Sequence, residues 1–200
     1  MQRGLPYAPV VRTAFKEWAA VVDALARGEQ ILILRKGGIA EGKGGFQLEH
    51  ERFLLYPTHF HNPHDSVIAS AQGRLSEIAG ASSPPDQVRI EFAAEVVEAR
   101  KLDSLADAER LRGQHVWRDE VIARRFDWGR DKRIHALALR VYRVARARIL
   151  PIIPAYAGCK SWIELEVDFD LDPAMPVLDE AAFGRKLQSF RAALAAPIAA

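Results

Sequence analysis

Two hundred residues, 49% apolar and 27% charged, suit a globular chain with room for a real core, and exclude disordered, fibrous and disulfide-scaffold classes. No apolar run reaches the roughly 18 residues of a membrane span, and the opening MQRGLPYAPVVR has no apolar signal core. The single cysteine, Cys159, has no partner for an internal disulfide, so the chain is expected in the cytoplasm with a net charge of +2.

In chain order, Thr13 is placed to cap a helix whose apolar positions Phe15, Trp18, Ala19, Val22, Leu25 and Ala26 recur at helical spacing. Gly28 stands where a left-handed C-terminal residue belongs. Ile31 to Leu34 reads as a short buried strand that exits into Arg35, Lys36, Gly37 and Gly38. Glycines let a phosphate or base approach the backbone while the cations supply charge, so this strand end is a candidate ligand-facing turn. Glycines interrupt regular structure from Gly37 to Gly45. Strand character resumes at Phe46 and at Phe53 to Tyr56, and Pro57 is expected to end it. His59 to Asp65 is a polar loop, Val67 to Ile78 is weakly helical, and SSPPD at 82–86 is a break.

Val88 to Val96 alternates as a half-buried strand. Asp103 or Ser104 caps a short helix ending near Gly113, and a second helix spans Asp119 to Trp128 and stops at Gly129. Ile134 to Val144 is a long strand, with Leu137, Leu139 and Val141 toward a core and Arg140 and Tyr142 on the other face. Pro151 and Pro154 bracket an extended apolar piece, YAGCKSWIELEVDF supplies a turn and a last strand, and Asp179 opens an amphipathic helix bearing Phe183, Leu187, Phe190 and Leu194. Strands outnumber the crossover helices that a doubly wound sheet needs. The order therefore predicts an α+β chain, a mixed and partly open β-barrel with helices at its rim.

Charge is segregated. Arg110 to Arg148 holds 12 Lys/Arg against 4 acids, a local +8, whereas the remainder holds 16 basic and 22 acidic residues, or −6. A basic segment beside an acidic remainder points to a polyanion partner, and a solvated helix face with a charged hairpin explains it equally. Aromatic rings accompany the cations: Trp117 and Trp128 lie among Arg118, Arg124, Arg125 and Arg130, where a base could stack. Trp18 and Trp162 suit the core.

His59, His61 and His64, in THFHNPHD, have the tightest spacing of ligand-type residues and could share a divalent metal. Their spacing is similar to the HxHxDH run of metallo-β-lactamase-like hydrolases, with Pro63 in the place of the aspartate. Glu41 and Lys43 have the ExK form of restriction-type nucleases with Asp23 upstream, although glycines surround them. Lys16 and Glu17 could flank a pocket.

The motifs AFKEWAAVVDAL, ILILRKGGI, FLLYPTHFHN, WRDEVIARRFDWG, LALRVYRV and YAGCKSWIEL, spread over residues 14–166, resemble a bacterial family described as a domain of unknown function, DUF1802. More distantly, LARGEQILILRK resembles the signature of ASCH domains. That signature has a glycine-ended helix, a lysine two positions on, and a strand carrying a polar residue and an arginine. ASCH domains belong to the PUA-like barrels, with the EVE and YTH modules, which mostly bind RNA or modified bases. The resemblance implies a PUA-like fold over residues 1–200, with a core at 13–168 and a C-terminal helical extension at 179–196.

Gly28 and Arg35 match the ASCH pattern, but Gln30 takes the place of the lysine and Ile33 that of a catalytic threonine found in some members. Amidohydrolase chemistry needs that base and hydroxyl, so the resemblance implies binding instead.

The resulting expectation is a module for RNA, DNA or a modified nucleotide, with no cofactor and no membrane. Its site comprises Arg35, Lys36, Gly37, Gly38, Trp117, Arg118, Arg124, Arg125, Trp128, Arg140, Tyr142 and Arg143. The alternative is a metal-dependent hydrolase or nuclease using His59, His61 and His64. A third reading is a partner protein that pairs through the apolar face of its C-terminal helix.

Overall fold

The structure is a computed structural model that describes residues 10–36, 40–42, 45–47, 50–59, 64–80, 84–129, 132–158, 160–172 and 174–195. The chain begins with β1 (Val11–Trp18), α1 (Ala19–Ala26) and β2 (Leu32–Arg35). A small hairpin, β3 (Ala40–Gly42) and β4 (Gly45–Gln47), leads to β5 (Arg52–Thr58), α2 (Ala69–Gln72) and α3 (Leu75–Gly80). The long β6 (Gln87–Leu102) precedes α4 (Leu105–Glu109), α5 (Asp119–Asp127) and the long β7 (Ile134–Pro151). A 3-10 turn at Pro154–Tyr156, β8 (Trp162–Phe169), β9 (Met175–Pro176) and α6 (Glu180–Ala195) complete it.

Seven strands form one mixed sheet in the order β2-β7-β6-β5-β1-β8, with β9 beside β7. The sheet is α+β with helices at its edges, as the element order predicts, and it does not close into a barrel because β2 and β8 share no backbone pairing. Only β1 and β5 run parallel; the other pairs are antiparallel. β5 pairs with β6 only from Arg52 to Leu54, after which β5 follows β1 and β6 follows β7. The two strands therefore part within the sheet.

Three expectations change. The helix expected from Thr13 is strand as far as Trp18, and Thr13 Oγ1 donates to Glu164 on β8 at 2.6 Å instead of capping a helix. Helical spacing misleads here because both faces of β1 are buried: Ala14 enters one apolar cluster and Phe15 the other, so neighbouring positions are both apolar. Pro57 does not end β5, which continues to Thr58, and this is tolerated because β6 has already diverged from that stretch. The glycine-rich stretch also contains regular structure, since Ala40–Gly42 and Gly45–Gln47 pair as a hairpin.

The sheet separates two cores. The larger gathers Phe15, Phe53, Leu34, Trp117, Leu139 and Phe190 among others; the smaller gathers Leu54, Ile90, Tyr156, Ile163 and Phe169. Each fully buried Phe or Leu contributes about 1.5–3 kcal/mol, so these clusters set the topology. α6 buries Phe183, Leu187 and Phe190 in the larger core, so the face expected to be free for another chain is occupied by its own fold. Gly28 takes φ +68°, and a Cβ there would lie 2.5 Å from Leu178 Cδ2, which makes glycine obligatory at the α1–β2 junction. Among the described residues, no helix is long and apolar enough to cross a membrane.

Candidate nucleic-acid interface

β2 is an edge strand, and its free side is closed by side chains. Leu139 N–H donates to Ile31 C=O at 2.6 Å, so alternation along the antiparallel ladder turns the Leu32 and Leu34 carbonyls outward. Gln30 Nε2 donates to Leu32 C=O at 2.7 Å, and Gln30 Oε1 accepts from Val116 N–H at 3.0 Å. Gln30 is thus a buried backbone tie where the ASCH pattern has lysine, and Ile33 beside it is core. Arg125 Nη1 donates to Leu34 C=O at 3.0 Å and anchors α5 to the strand.

Where β2 ends, the open edges of the sheet meet. Arg35 reaches from β2 across the seam to Ser161 Oγ at 2.9 Å, and to the Lys16 carbonyl and Glu17 Oε2, each at 3.4 Å, with its guanidinium 4.6 Å from the Phe15 ring centre. Glu17 is buried, and its other oxygen accepts from Trp18 N–H at 2.8 Å. Because β1 is a strand, Lys16 points the other way and donates to the Tyr156 and Gly158 carbonyls, both at 2.8 Å.

Arg125 sits beside this pair with its guanidinium 4.0 Å from the Trp117 ring and 5.3 Å from the Trp18 ring, the two indoles meeting edge to face at 4.3 Å. Burial pushes the Arg125 guanidinium down to about 10; Glu17 opposes this shift and Arg35 adds to it. It stays charged at neutral pH. Among the described residues it pairs with no carboxylate, and one backbone carbonyl uses one of its five donors.

α5 carries opposite charges at its ends. Its first turn holds Asp119 and Glu120, which pair with Arg112 at 2.8 Å and Arg118 at 3.3 Å. Its last turn holds Arg124 and Arg125, and Lys36 Nζ and Lys132 Nζ donate to the Phe126 and Asp127 carbonyls at 2.9 and 2.8 Å. Cations at a helix C-terminus are favoured by the exposed carbonyls. Arg124 donates to the Glu120 carbonyl at 3.3 Å and, among the described residues, meets no carboxylate. Trp128 ends the helix with its side chain outward, 73% exposed, whereas Trp117 is buried.

The structure therefore gathers Arg35, Lys36, Trp117, Arg124, Arg125 and Trp128, with Arg118 at the far end of α5. Gly37 and Gly38 lie outside the described residues. Arg140, Tyr142 and Arg143 are elsewhere: Arg140 is five residues along β7 from His135, the register partner of Arg35, a separation of roughly 17 Å. Arg140 does not face solvent; α6 covers it, Glu180 accepts from it at 2.7 Å, and its guanidinium lies 4.6 Å from Phe183. Arg143 pairs with Glu91 over Phe92, and Tyr142, on the other face of β7 near Glu95 and Arg140, is half-buried, its hydroxyl held above the usual tyrosine range by burial and then by Glu95.

Of the metal candidates, His59 is described at the end of β5 and His64 is exposed, its carbonyl accepting from Gln72 Nε2 at 2.8 Å. His61, Lys43 and Cys159 lie outside the described residues. Asp23 is held by Arg27 and Arg74, each at 3.0 Å. Among the described residues, no three His, Cys, Asp or Glu side chains gather as a metal-ligand set. Sequence reasoning missed Ser161 and Trp18 as parts of this site. Both are brought to it by pairing of β1 with β8, which no local pattern announces.

The sequence profile of the family "Domain of unknown function (DUF1802)" matches residues 14–189. The chain belongs to the DUF1802 family. Among solved structures, this DUF1802 chain is similar to the crystal structure of ASCH from Zymomonas mobilis, at 13% identity and a TM-score of 0.43, over 88% of this chain and 93% of that one. No curated protein matches it in sequence.

Proposed function

We propose that this DUF1802 chain binds single-stranded nucleic acid, or a modified nucleotide within it, along the rim where the last turn of α5 meets the end of β2. The observation that carries the reading is a difference in partners within the basic segment. Arg110, Arg112, Arg118, Lys132 and Arg140 are each paired with a carboxylate, and Arg143 shares Glu91 with Arg89. Arg124 and Arg125 have no carboxylate ion pair among the described residues, nor do Arg146 and Arg148 farther along β7, and Arg124 and Arg125 stand in the last turn of α5, the helix that the exposed Trp128 ends.

An uncompensated cation supplies phosphate affinity, and an exposed ring supplies a stacking surface with little base preference. Lys36 extends the rim toward the seam, where Arg35 is paired with Glu17 and ties β2 to β1 and Ser161. Trp117 acts beneath it, holding Arg125 in place. Amidohydrolase chemistry gains no support, since Gln30 spends its amide on two backbone groups and Ile33 has no hydroxyl.

The test is fluorescence anisotropy of labelled single-stranded RNA and DNA across a salt series. Affinity should fall steeply with salt, and Arg124→Ala should reduce the log–log slope by about 0.7. Affinity that is absent, or independent of salt, ends the reading.

A further inference from the structure

We infer a second binding site on this chain, for a small amphipathic anion: an apolar body carrying one carboxylate or phosphate head. It is the cleft opened where β5 and β6 part after Leu54 and Ala93, a space of about 450 Å³ roofed by α1. That volume lies in the range of small-molecule sites, roughly 300–1,000 Å³. The site is independent of the α5 rim.

The cleft exists because the two halves of the sheet follow different neighbours. Leu55 and Pro57 line one wall and Val88 and Phe92 the other, and Val22 of α1 and Ile78 of α3 complete an apolar interior. Among the described residues no strand pairs into the gap between the walls, since β5 turns to β1 and β6 to β7.

Charge at the mouth sets the ligand's sign. Glu91 is shared by two guanidiniums: Arg89 Nε donates to Oε2 at 2.9 Å and Arg143 Nη1 donates to Oε1. The carboxylate is recessed, at 22% side-chain exposure, while Arg89 and Arg143 are 47% and 54% exposed. One inward acid thus splays two outward cations, whose remaining donors suit a forked oxyanion. On the opposite wall Asp23 is covered by Arg27 and Arg74, and Glu29 and Glu77 approach these arginines from behind. His59 also lines the mouth. The lining residues hold three guanidiniums against two carboxylates, and the excess sits on the β6–β7 lip.

The experiment is calorimetric titration of the full chain with decanoate, decyl phosphate, decanol and decylammonium, with displacement of anilinonaphthalene sulfonate as a second readout. One saturable site is expected for decanoate or decyl phosphate, and whichever binds more tightly identifies the head group. Decanol and decylammonium should bind about tenfold more weakly, the loss of one charge-assisted contact. Arg89→Ala/Arg143→Ala, at exposed positions that leave the fold intact, should weaken the anion at least about tenfold while RNA affinity is unchanged. Ala26→Trp, which fills the cleft from α1, should abolish binding, with thermal melting confirming a folded protein. Absence of saturable binding, equal binding of decylammonium, or an unaltered Arg89→Ala/Arg143→Ala variant overturns the inference.

Discussion

Arg125 and Arg140 come from one basic stretch, each lies against an aromatic ring, and each has lost most of its water, yet their charges are met differently. Arg140 is closed by the Glu180 carboxylate, the Asp179 carbonyl and the Phe183 ring, and its effect is to pin α6 to β7. Arg125 has a carbonyl, two indoles and, among the described residues, no carboxylate ion pair, with Glu17 attracting it without pairing. Local positive charge is therefore a poor guide to function. A guanidinium matched one to one by an acid has little field left for an outside anion, whereas one without an acid, or one that shares its acid with a second guanidinium, keeps part of it.

Substitutions at and around the two arginines should separate their roles. The largest effect is expected on the latch side: Gly28→Ala forces a left-handed alanine and a 2.5 Å approach to Leu178, just before α6. It should cost about 4 kcal/mol in denaturant unfolding, the sum of αL strain and overpacking. An alanine there that leaves stability unchanged would mean that α6 is not firmly seated.

Next is the support beneath the α5 rim. His115 is buried and its Nδ1 accepts from Trp117 N–H at 3.2 Å. Burial pushes its imidazolium down to about 4, against the attraction of Asp119. The unfolded chain takes up that proton near 6.5 and the folded chain only near 4, so stability falls as pH drops between those values, by up to about 3 kcal/mol. His115→Asn should remove this acid-limb loss in a stability–pH profile; a profile identical to the parent's would place the acid sensitivity elsewhere.

Arg140→Ala should cost about 2 kcal/mol of stability through lost packing and one charged hydrogen bond, and leave RNA affinity alone. Weakened RNA binding in a folded Arg140→Ala protein would erase the distinction between the two arginines. The smallest and most selective change is Trp128→Ala, expected to lower RNA affinity roughly tenfold, about 1.5 kcal/mol. Being exposed, it should alter the melting temperature little, and a large melting shift would mark Trp128 as structural.

Much of the architecture was legible in order and period. Gly28 is left-handed with φ +68°, Ser104 accepts from Asp107 N–H as a cap at 3.1 Å, and Gly129 follows α5 with φ +77°. Each depends on a few adjacent residues, which sequence displays directly. The N-terminal strand was misread because burial on both faces removes alternation, leaving spacings that a helix would share. Within the site, the cations and rings could be listed from the sequence but not sorted. Arg140 and Arg124 look alike until α6 and Glu180 are in place, and Ser161 has no local signal at all.

Residue order sets which groups the protein has to offer: a charged strand end, a basic segment with two tryptophans, and a helix-ending glycine that commits α1 to turn into β2. Long-range packing sets which cations are met by an acid, where the sheet stays open, and that β5 and β6 part to form a cleft. Those outcomes depend on contacts between residues far apart along the chain. Such contacts are selected by burial and charge pairing in three dimensions, on which short-range pattern is silent.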